Sequence, residues 1–281
     1  MPVTITLLGT GSPLPDPNRA GPATLVQAGG TNLLVDAGRG VVLRLAGAGL
    51  FPSAIHAVLL THLHSDHICG LNDVVTSHWV TSPVPVPLAI HGPVGTAEVV
   101  AGMLRMLAPD VGYRLDHHAD LTQGPDLVVT EHGPGASFEV GGCTVTTHAT
   151  DHRPVEPTIG YRIEREGTVV ALAGDTVPCP GLDELCAGAD AYVQTVIRED
   201  LVALVPSPRL QDILDYHSTV AQAGETAVRN GVGTLVLTHY VPALQPGQEE
   251  QWRAIAAEHF DGEIVLGDDL TRAEAGRPDG G

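Results

Sequence analysis

Four side chains able to bind a metal crowd into six residues, His62-x-His64-x-Asp66-His67, directly after the apolar run Ala57–Leu60. A short run this apolar reads as a strand buried on both faces. Residues two apart on an extended segment point the same way, so His62 and His64 can share one ion. The chain then turns, which lets Asp66 and His67 face a neighbouring ion. A fold that accepts this segment must end a buried strand in a polar, ligand-rich loop.

The rest of the chain predicts more strands than helices. Val3–Leu7, Ala23–Ala28, Asn32–Asp36, Asp126–Glu131, Ser137–Thr147, Thr158–Glu164, Thr168–Leu172, Ala191–Val196, Thr234–Thr238 and Glu263–Leu266 read as strands. Helical spacing covers Gly40–Ala48, Thr96–Leu107, Ser218–Arg229 and Gln248–Phe260. Hairpins alternate with helices in each half, which points to an α+β fold of two mixed sheets packed face to face with helices outside. No linker divides the chain, so residues 1–270 are read as a single domain. The polar, Gly-rich residues 271–281 are read as a flexible tail.

Composition removes several chemistries. All 14 basic residues are Arg and none is Lys. Schiff-base and pyridoxal-phosphate enzymes need a lysine amine, and a phosphate-cradling loop of the Gly-Lys-Ser/Thr type needs a lysine as well. A formal charge of −19 argues against broad binding to nucleic acid or anionic membranes, which relies on clustered cations. The 14 histidines equal the whole basic count and invite a search for metal ligands. Cys69, Cys143, Cys179 and Cys186 form no C-x-x-C pair and read as reduced thiols. With no signal peptide and no apolar stretch of about 20 residues, the expected location is cytoplasmic, away from membranes.

The H-x-H-x-D-H motif resembles the metallo-β-lactamase superfamily, and further segments follow in that family's order. Asp151-His152-Arg-Pro-Val-x-Pro resembles the segment supplying a third histidine ligand. His148, four residues earlier, is the alternative, and the Pro-Val-x-Pro context favours His152. Gly174-Asp175-Thr176 resembles the position of a metal-bridging carboxylate, and Leu237-Thr-His239 that of the last histidine ligand. Leu8-Gly-Thr-Gly-Ser12 and His217-Ser-Thr219-x-x-Gln222-Ala223 are similar to the branch holding ribonuclease Z, arylsulfatase-like enzymes and cyclic-nucleotide phosphodiesterases.

The resemblance implies a four-layer αββα sandwich and two zinc ions. His62, His64 and His152 would hold one ion, Asp66, His67 and His239 the other, with Asp175 between them. Manganese and iron suit similar donors. Asp66 and His217 are the implied catalytic residues, Asp66 orienting the attacking hydroxide and His217 serving the leaving oxygen.

Two departures from ribonuclease Z steer the substrate reading. Its His-Glu-Ala-Thr segment, whose Glu supports the catalytic histidine, is here Val193-Gln-Thr-Val196. No long insertion supplies the arm that grips tRNA in many of those enzymes. The expectation is therefore a hydrolase of a small phosphodiester or aryl sulfate ester, possible as a homodimer, with nucleic acid an improbable partner. The alternatives are a tRNA 3′-processing endoribonuclease, a carboxylic ester or lactone hydrolase, and an iron-dependent redox enzyme on the same fold.

Overall fold

Side chains that alternate along the strands sort into three main cores. The computed structural model describes residues 3–276. The first sheet takes in β1 (Val3–Gly9), β2 (Ala23–Ala28), β3 (Thr31–Val35), β4 (Ala57–Leu59), β5 (Leu88–Gly92) and β6 (Leu127–Glu131). The second follows in chain order as β7 (Ser137–Val140), β8 (Cys143–Ala149), β9 (Ile159–Arg165), β10 (Thr168–Leu172), β11 (Ala191–Ile197), β12 (Thr234–Val241) and β13 (Glu263–Val265). A last strand, β14 (Arg272–Ala275), returns to the free edge of β1, so each sheet has seven strands. In both sheets three antiparallel pairings give way to three parallel ones.

Period-two alternation decides which core each residue enters. Leu33, Val35, Ala57 and Leu59 face Val145, Ile163, Leu172 and Val193 across the gap between the sheets. Leu34, Val58 and Leu60 point the other way, onto α1 (Val41–Gly47), α3 (Leu71–Thr81) and α4 (Thr96–His117). Tyr192, Val196, Leu235 and Leu237 pack outward against α5 (Pro180–Cys186), α8 (Val220–Arg229) and α9 (Glu249–Ala257). The result is the α+β, four-layer αββα sandwich that the sequence predicts. Three short helices, α2 (Ser65–Ile68), α6 (Glu199–Val202) and α7 (Pro208–Gln211), lie in loops.

Local differences from the sequence reading have physical causes. Ser137–Thr147 is a hairpin, not one strand, because Gly141 and Gly142 both take positive φ (57° and 81°), the geometry of a tight two-residue turn. The helix from Thr96 continues through Pro109 to His117, beyond the point where its apolar face ends at Leu107. The stretch between the motif and Thr96, which carried no predicted element, holds α3 and β5. The signal of α3 was present, since Leu71, Val74, Val75 and His78 repeat at helical spacing and are buried together. The tail read as starting at 271 instead contributes β14, with Ala273 and Ala275 buried against β1. Residues 277–281 lie outside the described part.

Candidate metal centre

The ends of the parallel strands bring the chemistry together, as is usual where a sheet's strands run side by side. β3 leads into Asp36, β4 into Thr61–His67 and β10 into Gly174-Asp175, and β12 carries His239. Gly174 has φ +66°, and a Cβ there would come within 2.7 Å of Thr61, so only glycine lets Asp175 approach the motif. His239 itself takes φ +52° inside a strand, a sparsely populated conformation of the kind retained at functional sites.

Seven residues predicted as ligands converge. His62, His64, His152 and Asp175 offer donor atoms within 4.8 Å of one another, and so do Asp66, His67 and His239. Asp175 is the hub, its Oδ2 lying 3.4 Å from His67 Nε2, 3.5 Å from His239 Nε2 and 3.8 Å from both His62 and His152 Nε2. His217 closes the group with Nε2 at 3.3 Å from the same oxygen. His148 stays outside, on the far side of β8 near Thr146 and Glu184. His78 is buried on α3, and Arg153 is spent on Asp151 at 2.5 Å.

Hydrogen bonds behind the rings set their tautomers. His152 Nδ1–H donates to the carbonyl of Tyr216 at 2.8 Å, and His217 Nδ1–H donates to that of Ile213 at 2.9 Å. His67 Nδ1–H donates to Asp36 at 2.8 Å. The Thr61 hydroxyl donates to Asp36 and accepts from His62 Nδ1–H at 3.0 Å. Each pairing turns Nε2 toward the hub, the orientation that a ligating histidine or a proton donor needs. Sequence reasoning missed Asp36, Thr61 and the two carbonyls. Asp36 had a faint signal, an acid at the end of an otherwise apolar strand.

The donors fit cations on the structure's own terms. His62 and His152 Nε2 both sit 3.2 Å from His64 Nδ1, and Asp175 Oδ1 and His239 Nδ1 are buried without partners. Burial holds His62 well below the usual imidazole range and lowers His152 to about 4, which keeps their lone pairs free. Burial opposes ionisation of Asp175, yet the imidazoles of His239 and His67 more than offset it and hold the carboxyl well below its usual range. Burial also lowers His67 and His217, but the carboxylates beside them, Asp175 foremost, outweigh it and raise both. Buried carboxylate and imidazole donors at this density are a cation-binding set.

Such a centre at the strand ends of an αββα sandwich defines an enzyme, a hydrolase of the beta-lactamase superfamily. A family model described as the beta-lactamase superfamily domain matches residues 31–240. The ribonuclease Z of Mycolicibacterium paratuberculosis is 59% identical over 278 residues, covering 98% of this chain and 99% of its own. That of Mycobacterium tuberculosis strain H37Rv is 57% identical over 272 residues, covering 96% and 97%. This chain belongs to the ribonuclease Z family. Among solved structures, human tRNase Z, short form, superposes with a TM-score of 0.74 at 23% identity, covering 98% of this chain and 100% of that one. The metallo-beta-lactamase fold protein YhfI from Bacillus subtilis gives 0.75 at 22%, covering 98% and 99%.

These relatives overturn the expected partner. A small ester substrate, with nucleic acid improbable, conflicts with full-length relatives that are ribonucleases at 59% identity. The error lay in treating a net charge of −19 as if it described the active-site mouth. A sum over the whole surface says little about the local field in one cleft. Among the described residues no helix is long and apolar enough to cross a membrane.

Proposed function

We propose that this protein is a metal-dependent endoribonuclease that cuts tRNA precursors at the 3′ boundary of the tRNA. The observation that carries the reading is 59% identity to ribonuclease Z across 98% of the chain, with all seven predicted ligands gathered in one centre, six of them buried. His62, His64 and His152 would hold one cation and Asp66, His67 and His239 a second, with Asp175 between them. Zinc, which suits this donor set, supplies when bound the polarisation of a phosphoryl oxygen and the acidification of water.

The chain's own groups complete the reaction. Asp66, whose Oδ2 lies 3.3 Å from His239 Nε2, would accept a hydrogen bond from the attacking water and orient it. His217 is fixed through Nδ1, so its Nε2 is the atom able to hold a proton and pass it to the leaving oxygen. The missing Glu does not leave this ring without support, because the Ile213 carbonyl takes the role of the carboxylate. Gln194 is occupied elsewhere, by the Tyr192 hydroxyl and the Thr195 carbonyl.

The test is cleavage of a precursor tRNA transcript with a 3′ trailer by zinc-loaded protein, with metal content measured in parallel. Wild type is expected to release the trailer as one fragment. His217→Ala should lose about 10²- to 10⁴-fold in kcat while keeping its metal. A fully loaded protein that leaves the precursor intact would sink the proposal.

A further inference from the structure

Beside the centre lies a cavity of about 140 Å³ whose floor is His64, Asp175, His217 and His239. Its walls differ in kind from its floor. They include Leu14 from the loop after β1 and Leu210, Ile213 and Tyr216 from the segment that leads into His217. The volume falls well under the roughly 300–1,000 Å³ of sites for larger ligands, so it accommodates one ring system and not a duplex. A diester whose phosphorus sits over the floor must send one of its two flanking nucleosides toward these walls. The group that matches them is a flat ring with apolar faces.

The mouth carries charges of both signs: Asp212 and Asp215 lie close enough to Tyr216 to act on its hydroxyl, and two arginines stand on the lining segments. Arg209 immediately precedes Leu210 on α7, is exposed, and has no hydrogen-bond or ion-pair partner among the described residues. Most other arginines are tied to carboxylates, among them Arg19, Arg44, Arg114, Arg153, Arg198 and Arg229. Arg39 donates to the Ser12 and Leu14 carbonyls at 2.7 and 3.1 Å, holding that part of the wall in place, and has no carboxylate partner among the described residues.

Building on the ribonuclease reading, we infer that this cavity seats the base of an unpaired nucleotide next to the scissile bond, and that Arg209 binds an adjacent phosphate. The walls take the base by stacking and apolar contact, which accepts any base because every base has a flat face. Arg209 supplies the sequence-independent charge contact that positions the backbone. An acidic protein can thus hold RNA at one spot without a broad basic surface.

A substrate with one base removed tests this directly. Zinc-loaded wild type would be given the intact precursor and two precursors with a single abasic nucleotide, one on each side of the cleavage site. One abasic precursor should lose about tenfold or more in kcat/KM. Leu210→Ala should lose a similar factor on the intact precursor and nothing further on that abasic one, because the two changes remove the same contact. For Arg209→Ala, the slope of log Kd for the processed tRNA against log salt should become shallower by about 0.7 to 1. Equal rates on all three precursors, or independent losses in the cycle, would overturn the base seat, and an unchanged slope would overturn the role of Arg209. Failure of the loaded wild type to cleave the intact precursor is a different result, which removes the ribonuclease reading itself.

Discussion

Asp36 holds φ +60° and accepts hydrogen bonds from the Thr61 backbone N–H at 2.8 Å, the Thr61 hydroxyl and His67 Nδ1–H. Its two oxygens thus orient two of the proposed ligands, His67 directly and His62 through Thr61. Asparagine tolerates the same backbone conformation but offers one acceptor oxygen in place of two. Asp36→Asn is therefore expected to keep the fold and weaken metal binding about 10- to 100-fold, read by competition with a chelating dye. Unchanged affinity would show that the ring of His67 needs no such support. The proposed ligands were legible because four of the seven share one motif of fixed spacing and the other three lie in short segments that resemble the family's. Asp36 was not, because a lone acid at a strand end acquires meaning only when the fold places His67 against it. His217 teaches the same lesson from the other side. The sequence could register that a Glu was missing, but a backbone carbonyl leaves no mark in the sequence as its replacement.

At the scale of elements, His91 at the end of β5 and His132 just after β6 share a hydrogen bond of 2.9 Å. Both rings stack on Phe138 of β7, at 4.3 and 4.4 Å, so this trio joins the edges of the two sheets. Burial, followed by the neighbouring His132, lowers His91 to about 4. A histidine with a depressed folded value resists protonation that the unfolded chain accepts. Its contribution to stability is therefore complete above about pH 6.5 and declines as the pH falls from there toward 4. After allowance for solvent screening of this half-buried ring, the loss is about 1–2 kcal/mol. Denaturant melts at pH 7 and pH 4.5 on wild type and His91→Phe should show the variant losing less on acidification by that amount. An equal loss in both would remove the trio from the acid sensitivity. Neither histidine could be read as a partner of the other, because 41 residues separate them and only the pairing of β5 with β6 brings them together.

The proposed ligands come from both sheets: His62, His64, Asp66 and His67 follow β4 in the first, and His152, Asp175 and His239 belong to the second. Bound cations would therefore clamp one sheet to the other and stabilise the whole molecule rather than one loop. A ligand present at about 100 times its Kd adds roughly 2.7 kcal/mol, which for a chain of this size corresponds to a rise of about 5–10 °C in Tm. Calorimetry of chelator-treated protein before and after zinc should show that rise. A Tm indifferent to zinc would mean that the centre binds no ion that matters to the fold. The return of Arg272–Ala275 to β1 belongs to this scale too. A four-residue strand that buries only two alanines carries little apolar signal, and it forms because β1 offers an open edge across the length of the chain.

What the sequence determined by itself was local: strand alternation, the spacing of the H-x-H-x-D-H motif and the order of the segments that follow. Alternation suffices for the strands and the spacing for the pairing of His62 with His64, because both depend only on neighbours along the chain, while the four-layer order and the other proposed ligands rested on the resemblance of those segments to a known family. The tertiary structure alone decided which atoms stand behind the ligands, where Arg209 and the apolar walls meet, and which edge β14 closes. Each of those depends on residues brought together from distant parts of the chain, and their positions are set by the packing of two whole sheets.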